Sequence, residues 1–315
     1  MAVAPPMGGR LMKPVLLLLA LSSALSGATW HVIAGGLGGD PDYETRFRTL
    51  AADMQKLAAG DGVNITTLSG SEATKASLKA AIDRAAAESS PGDLFVLTLI
   101  GHGTWDQVEY KFNIPGPDVT GTELALWLDR IPARQLVVLA TSASGGALES
   151  LKRPNRVLVT ATRSGMERNA VVFSRYWVEA FRDANADTDK SGAVSALEAF
   201  RYADKKTTDF YQTQQRLATE HAMLEDTGVR EPVRAPSPDN GQGLAASTFQ
   251  VVRFGKLQEA LRDPAKQKLL VRKEQIEQAI DKLKYEKAAT PADDYRKKLS
   301  ALLLELARIQ EELEP

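Results

Sequence analysis

His102 and Ser142 are the side chains of this sequence whose types and positions best suit nucleophilic chemistry. Each follows a short apolar segment: Leu94–Ile100 precedes the histidine and Leu136–Ala140 precedes the serine. A neutral imidazole can accept the proton of a serine hydroxyl that attacks a carbonyl carbon, provided that the two groups lie within hydrogen-bonding distance. The chemistry that these residue types allow is therefore hydrolysis, and it depends on whether the fold brings them together.

The segments before His102 and Ser142 are typical of strands in a parallel sheet. Short apolar runs that are rich in Val and Leu suit strands buried on both faces. Thr122–Ile131 lies between them and is long enough to cross back as a helix. Since binding and catalytic groups gather at the carboxyl ends of such strands, we expect both side chains at one edge of the sheet. A simpler alternative is that His102 hydrogen-bonds a turn and that Ser142 or Ser144 caps a helix beginning near Gly146.

Strand-like and helix-like segments alternate along the chain as far as about residue 255. The strand-like segments include Trp30–Ala34, Val63–Leu68 and Arg156–Ala161, and the helix-like segments are Tyr43–Ala59, Ser71–Ala87, Val172–Ala186 and Leu197–Met223. This alternation predicts an α/β fold in which a mostly parallel sheet carries helices on both faces. We expect Phe249–Phe254 to form a final edge strand, and we expect His221 to be a structural residue on the long last helix.

A second group of oxygen-bearing residues has the spacing of the twelve-residue EF-hand calcium loop. Positions 1, 3, 5, 6 and 12 of the segment 187–198 are Asp187, Asp189, Ser191, Gly192 and Glu198. Calcium takes six to eight oxygen ligands, which these side chains and the backbone carbonyl of Ala193 can supply. We predict that this EF-hand-like loop binds Ca²⁺. The alternative is a polar loop that only links two helices, since short motifs also arise by chance.

Composition narrows the classes of function. With 39 basic and 40 acidic residues the net charge is −1, so the chain lacks the basic character of a nucleic-acid-binding protein, and we expect no nucleic-acid partner. There is no cysteine. Disulfides, thiolate metal sites and a cysteine nucleophile are therefore excluded.

The N-terminus has the order of a secretory signal. Arg10 and Lys13 precede the apolar segment Pro14–Leu25, which the small residues Ser26-Gly27-Ala28 follow. About a dozen apolar residues are too few to span a membrane, which takes about 20. We predict a signal peptide over residues 1–28, a mature periplasmic or secreted chain beginning near Thr29, and no membrane span beyond the signal. The alternative is an uncleaved anchor.

The last sixty residues differ in composition from the rest. Charged segments at Gln258–Lys287 and Ala292–Leu313 carry apolar residues at helical spacing: Leu269, Ile276 and Leu283 in the first, and Leu299, Leu302, Leu306, Ile309 and Leu313 in the second. Two such stripes joined by a short turn predict an antiparallel helical hairpin. We therefore divide the chain into the signal peptide, an α/β domain at 29–255 and a C-terminal hairpin at 256–315. We expect the hairpin to pack on itself or on its own domain. The alternative is a coil that binds a partner, which includes self-association with a second copy.

The segments LIGHGTWD (99–106) and ATSASGG (140–146) resemble the active-site segments of the caspase–legumain clan of cysteine peptidases. The Asp/Gly loop 187–198 and the segment TEHAMLED (219–226) resemble the bacterial legumain-like branch of that clan. In that clan an apolar strand ends in His-Gly and the next ends in Cys-x-Ser-Gly. The resemblance, which extends in element order over about residues 30–254, implies a caspase-like three-layer fold. It places His102-Gly103 at the general acid–base position and Ser142 where the clan has its nucleophilic cysteine.

The same resemblance implies a substrate-binding region and a class of ligand. Ser144-Gly145 matches the Ser-Gly of the clan, and the segment VTATRSG (159–165) is similar to the region that lines the specificity pocket of legumain-like members. Ser144, Arg163 and Ser164 are thereby implied in binding a peptide or protein ligand.

The functional hypotheses differ in the role they give to the serine at position 142. A serine hydroxyl is far less acidic than a thiol, so it needs a base that a third group orients. The sequence offers no obvious group of this kind, and Asp106 is only a candidate. Our main hypothesis is a cell-envelope protein of caspase-like fold that is impaired as a peptidase and retained for binding or scaffolding. The alternatives are a serine hydrolase that uses Ser142 and His102, and a calcium-responsive interaction module.

Overall fold

The structure, a computed structural model, describes residues 27–255, 257 and 263–313. Residues 1–26 of the predicted signal peptide lie outside the described residues. The strands are β1 (Thr29–Gly35), β2 (Val63–Leu68), β3 (Leu94–Gly101), β4 (Gly103–Trp105), β5 (Tyr110–Phe112), β6 (Val119–Thr120), β7 (Arg134–Thr141), β8 (Arg156–Thr160), β9 (Ala193–Ser195), β10 (Met223–Glu225) and β11 (Gln250–Arg253). The helices are α1 (Pro41–Ala58), α2 (Lys75–Glu88), α3 (Gly121–Leu128), α4 (Leu148–Leu151), α5 (Phe173–Ala180), α6 (Ala196–Thr213), α7 (Leu244–Ser247), α8 (Pro264–Tyr285) and α9 (Ala292–Leu313).

A six-stranded sheet forms the centre of the molecule, in the order β10-β8-β7-β3-β1-β2. All its pairs are parallel except β10 with β8. Helices cover both faces because both faces of the strands are apolar: Val96 and Val138 pack in the core on the side of α1, α5 and α6, whereas Leu97 and Leu139 pack on the side of α2, α3 and α4. The predicted fold class, a caspase-like three-layer α/β architecture with a C-terminal helical pair, is confirmed.

Two smaller antiparallel sheets lie outside the central one. One has the order β4-β5-β6 and follows the carboxyl end of β3 directly. The other pairs β9 with β11. The strand predicted at Phe249–Phe254 forms as β11, but it does not lie at the edge of the central sheet, because it pairs with the strand inside the loop 187–198. The edge position belongs to β10 instead.

The helix predicted over Leu197–Met223 is shorter than expected. It ends at Thr213, and Gln215 has a left-handed φ of 51° that an α-helix cannot accommodate. Leu217, which made the segment look amphipathic, is 91% exposed. His221 therefore lies in the segment before β10 and not on a helix, contrary to the prediction.

The C-terminal hairpin packs through the apolar residues that its periodicity indicated. Ile276 and Ile280 of α8 are buried against Ile309 of α9, and the leucines of both predicted stripes surround them. Helix α8 also contacts the α/β body: the Tyr285 hydroxyl donates to the Gln242 carbonyl oxygen at 2.8 Å. Among the described helices none is both long enough and apolar enough to cross a membrane.

Candidate functional site

The ends of β3 and β7 place His102 and Ser142 on neighbouring strands. In the register of the sheet Gly101 lies opposite Thr141, and each candidate residue is the next in its chain. Directly after these strand ends come His102, Gly103 and Ser142. We call these three residues the strand-end site. Position at the carboxyl ends of parallel strands agrees with the general rule for α/β proteins.

The Ser142 hydroxyl is engaged by the backbone of Gly103. The Gly103 amide donates to Ser142 Oγ at 3.1 Å, and the Ser142 hydroxyl donates to the Gly103 carbonyl oxygen at 3.2 Å. Ser142 is only 1% exposed. A Cβ at position 103 would lie 2.5 Å from the Ser142 carbonyl oxygen and from the Tyr110 ring, so the close approach requires glycine.

The His102 imidazole contacts helix α1 and the segment before it. Its ring lies edge-on to the rings of Tyr43 and Phe47, with centroid distances of 4.8 and 5.0 Å. Burial lowers the pKa of His102, which a hydrogen bond with the backbone of Gly38 and the charge of Asp40 offset in part. The imidazole is therefore neutral near pH 7.

No hydrogen bond joins the His102 ring to the Ser142 hydroxyl in the described part of the chain. The two residues are adjacent in the sheet, yet the hydrogen bonds of the imidazole and of the hydroxyl go to different backbone groups. A nucleophilic attack by Ser142 would require the hydroxyl to leave the Gly103 carbonyl and the imidazole to replace it as acceptor. Asp106, the candidate third group, instead pairs with Lys111 at 2.8 Å.

The three residues implied in substrate binding have different surroundings. Ser144 is fully buried: its Oγ accepts the Thr162 amide at 3.1 Å and lies 3.2 Å from Thr162 Oγ1, which ties the turn after β7 to the end of β8. Arg163 and Ser164 lie at the surface, where Ser164 Oγ accepts the Met166 amide at 3.3 Å. Only these two of the three can contact a ligand directly.

A pocket of about 370 Å³ opens beside the strand-end site, and we call it the Trp105 pocket. Arg163 and Ser164 line it together with Trp105, Val108, Gly146, Gly165 and Met166, among others. Val108 is 85% exposed and Met166 65% exposed, so the rim offers apolar side chains to solvent. A pocket of this size with apolar walls is suited to binding a side chain of a larger ligand.

Trp105 was missed in the sequence, although it stands only three residues after His102. Its indole packs directly on two glycines from other loops: a Cβ would lie 2.5 Å from it at Gly146 and 2.2 Å from it at Gly165. The signal that could have identified it is this pair of glycines, one four residues after Ser142 and one at the end of the segment 159–165. Their partner cannot be identified without the fold.

A second missed contact joins the turn after Ser142 to His221. The Ala143 amide donates to the Glu167 carbonyl oxygen at 2.8 Å, and the Glu167 carboxylate lies 2.6 Å from His221 Nδ1. The same carboxylate accepts the Arg163 amide at 2.8 Å. Glu167 thereby connects three segments around the Trp105 pocket, which gives His221 a structural role.

The predicted calcium loop, residues 187–198, brings its carboxylates together, and we call it the acidic loop. Ligand atoms of Asp187, Asp189 and Glu198 lie within 4.8 Å of one another. Lys190 and Gly192 have left-handed φ values of 60° and 86°, which turn the backbone sharply around the carboxylates.

Backbone and hydroxyl donors already point at these carboxylates. The Ser191 amide donates to both Asp187 Oδ1 and Asp189 Oδ1 at 2.9 Å, and its hydroxyl lies 3.3 Å from the Ala193 carbonyl oxygen. Glu198 Oε2 accepts the amide of Ser195 at 3.0 Å. Burial and the neighbouring acids raise the pKa of Asp187. The oxygens expected to hold Ca²⁺ therefore fit a cation chemically.

Helix α8 covers the acidic loop. A small cavity of about 20 Å³ between them is lined by Asp189 and Glu198 on the loop and by Glu274, Glu277 and Asp281 on the helix. Burial raises the pKa of Glu277 to about 7, against the opposing effect of its cationic neighbour Lys273. This concentration of acids at the hairpin was not expected from the sequence.

Comparisons with models of protein families and with curated proteins found no match. Solved structures that are similar in fold include the Drosophila initiator caspase Dronc, with 10% identity over 73% of this chain and 96% of that one and a TM-score of 0.42. A protein of Geobacter sulfurreducens is 16% identical over 58% of this chain and 89% of that one, with a TM-score of 0.39. Raptor of Chaetomium thermophilum is 12% identical over 89% of this chain but 34% of its own, with a TM-score of 0.38. Similarities this distant carry no argument about function.

Proposed function

We propose that this chain is a caspase-like protein that binds peptide segments beside the strand-end site and does not cleave them. The observation that carries the proposal is the state of Ser142, whose hydroxyl is buried and engaged by both backbone groups of Gly103. The neutral His102 makes its hydrogen bond elsewhere. A serine needs an adjacent base to attack, so this arrangement favours binding over catalysis.

The Trp105 pocket supports a peptide as the ligand. Its apolar residues suit an apolar side chain of a ligand, and charges of both signs are offered by three residues that also line it, Arg163, Glu109 and Glu149. Strand β4, which contains Trp105, is at the edge of its three-stranded sheet and, among the described strands, pairs with β5 alone. Ser142 occupies the backbone groups of Gly103, so the edge is open at the Trp105 end of β4. An extended peptide can add to such an edge through main-chain hydrogen bonds while one side chain enters the neighbouring pocket.

The experiment compares binding with cleavage on the same peptides. Fluorescent peptides with an apolar residue at each position in turn are titrated with the protein, and anisotropy reports binding while mass spectrometry reports cleavage. We expect binding without cleavage, and loss of binding in Met166→Ala and Val108→Ala. Leu126→Ala is the matched control, because Leu126 is equally apolar and 64% exposed but lies on α3 outside the pocket.

Serine hydrolysis is the competing outcome of this experiment. A fluorophosphonate adduct on wild-type Ser142, together with cleavage that His102→Ala removes, would contradict the proposal in favour of a working serine enzyme. Binding that does not respond to the pocket variants would contradict the assigned surface.

We propose calcium binding as a second property, carried by the acidic loop. The convergence of Asp187, Asp189 and Glu198, the sharp turns at Lys190 and Gly192, and the position of the Ser191 and Ala193 oxygens support it. When bound there, Ca²⁺ would supply positive charge to a site that otherwise holds three close carboxylates. Isothermal titration with calcium measures it directly, and the absence of heat at millimolar calcium would refute it.

We also propose that the chain is exported, on the basic–apolar–small order of residues 1–28. Protein made in a secretion-competent host should then begin near Thr29. Soluble cytoplasmic protein with Met1 intact would refute the proposal.

A further inference from the structure

A buried lysine of the C-terminal hairpin contacts the acidic loop. Lys273 on α8 is only 5% exposed, and its ammonium donates to the carbonyl oxygen of Ser191. The same ammonium lies 3.2 Å from Glu277 Oε1, one turn further along the helix. A buried ammonium persists only where oxygen acceptors and opposite charge surround it, and here the loop and the helix provide both.

The other basic groups at this interface are already paired with acids of the hairpin. Arg253 lies 2.8 Å from Glu274, and Lys284 lies 2.8 Å from Asp281. Lys273 also pairs with Glu277, but in the described part of the chain it is the α8 cation that contacts the loop, next to a cavity whose wall includes Asp189 and Glu198.

An unpaired oxygen lines the same cavity. Gln250, which pairs with Ser195 of the loop across the β9–β11 ladder, has a fully buried side-chain carbonyl with no hydrogen-bond partner in the described structure. The interface therefore contains an acceptor that the protein itself does not satisfy, beside an excess of carboxylates. Both features favour a positive charge at this interface, which either the Lys273 ammonium or a bound cation can supply, so the two compete.

We propose that Lys273 sets the cation affinity of the acidic loop and couples it to the docking of the C-terminal hairpin. The docked ammonium repels a calcium ion in the loop, so the hairpin weakens calcium binding, and calcium in turn loosens the hairpin. The inference rests on the calcium binding proposed above. Because coupling between two binding events is reciprocal, one change in affinity predicts the other.

The first test measures calcium affinity by isothermal titration in full-length wild type and in Lys273→Met, which keeps an unbranched side chain of similar length without the charge. We expect the variant to bind calcium about tenfold more tightly, within the range of ordinary coupling between sites. Lys282→Met is the matched control, because Lys282 lies on the same helix with its side chain 70% exposed, and its affinity should equal that of the wild type.

The second test uses the wild type alone, so it does not depend on the folding of a variant. Hydrogen exchange of residues 264–285 should accelerate when calcium is added, while exchange in the core strands β3 and β7 should not accelerate, because calcium stabilises the folded state as a whole. Equal affinities in wild type and Lys273→Met, or unchanged exchange in α8 at saturating calcium, would overturn the coupling and leave calcium binding in place. No calcium binding in either protein would overturn both proposals.

Discussion

The strand-end site and the acidic loop contain the side chains with the clearest chemistry, and they differ in how their polar groups are satisfied. At the strand-end site the Ser142 hydroxyl and the Gly103 backbone satisfy one another, and His102 hydrogen-bonds the backbone of Gly38. In the acidic loop, three carboxylates converge. The first arrangement is complete without a ligand, whereas the second retains an excess of negative charge.

This difference shows that residue types alone do not identify a site. A hydroxyl and an imidazole at adjacent strand ends satisfy the positional rule for an active site, yet their hydrogen bonds make them part of the scaffold. Buried carboxylates cannot satisfy one another in the same way, because each is only an acceptor when ionised. Excess charge is therefore the stronger indication of a ligand in this molecule.

Lowering the pH should cause the largest change in the free energy of unfolding. This change comes from His31, which belongs to neither the strand-end site nor the acidic loop, so its contribution must be measured separately. His31 in β1 is fully buried, and burial lowers its pKa from the ordinary 6.5 to about 4. Above pH 6.5 the imidazole is neutral in both states. Between pH 6.5 and about 4 only the unfolded chain takes up the proton, so the free energy of unfolding should fall by about 3 kcal/mol as the pH falls through this window.

Urea unfolding of the wild type and His31→Leu at pH 7 and pH 4 measures this contribution. The variant should lose less stability than the wild type over the same interval. His102→Gln is the control, since His102 is half-buried and its lowered pKa predicts a change of the same sign but smaller size. Parallel curves for wild type and His31→Leu would contradict the assignment, and acid sensitivity that remains in the variant belongs to His102 and the carboxylates.

Calcium should have the next largest effect on stability, and this effect should depend on the acidic loop and not on the strand-end site. A ligand that binds only the folded state at a hundredfold excess over its Kd stabilises by about 2.7 kcal/mol. Glu198→Gln should abolish this gain, because it removes a charged ligand of the loop. Glutamine can still accept the Ser195 amide at the start of α6, where Glu198 and Ser195 form a capping box, so the fold should be retained.

The measurement is the Tm with calcium and with chelator. Wild type and Glu149→Gln, which alters an exposed acid near the strand-end site, should show the same rise. If calcium still raises the Tm of Glu198→Gln, calcium binds at a site other than the acidic loop.

The sequence predicted these elements and positions better than it predicted contacts. Apolar runs identified β3 and β7, and the rule for parallel sheets placed His102 and Ser142 side by side. The orientation of the His102 ring depends on Tyr43 and Phe47, which lie in a helix that begins some sixty residues earlier. Spacing within a segment carries no information about such partners.

The same limit applies to the contacts that connect the two regions to the rest of the fold. Glu167 and His221 are 54 residues apart, and Lys273 is 82 residues from the Ser191 carbonyl that it binds. The helix predicted through His221 failed because the exposed Leu217 was counted as part of an apolar face. Local periodicity cannot distinguish an exposed leucine from a buried one.

Filling the space beside Trp105 should have an effect of about 2 kcal/mol, within the usual range for overpacking. In Gly165→Ala the new Cβ would lie 2.2 Å from the indole, so the ring must move and the pocket must change shape. We expect lower stability and weaker peptide binding than in Gly92→Ala, whose Cβ meets open space. Urea unfolding and peptide anisotropy report the two effects, and equal results for the two variants would contradict the role of the Trp105 pocket.

The smallest effect should come from the strand-end site, where Ser142→Ala removes both hydrogen bonds to Gly103. In this variant the buried amide and carbonyl of Gly103 have lost their hydrogen-bond partner, which costs about 1 kcal/mol. Urea unfolding should show a decrease of this order, and peptide binding should be unchanged, since Ser142 does not line the Trp105 pocket. Weaker peptide binding in Ser142→Ala would make the serine part of the binding surface.

A thiol at the same position tests whether His102 and residue 142 can act as a pair. The chain has no cysteine, so Ser142→Cys carries one thiol, and Ser71→Cys provides an exposed control. Burial disfavours the thiolate, and the neutral His102 supplies no positive charge to offset it, so iodoacetamide should label the buried thiol more slowly than the control near neutral pH. Faster labelling of Ser142→Cys, lost again when His102→Ala is added, would show that the imidazole reaches the residue. The strand-end site would then be a catalytic pair that lacks only its thiol, and the contrast with the acidic loop would no longer hold.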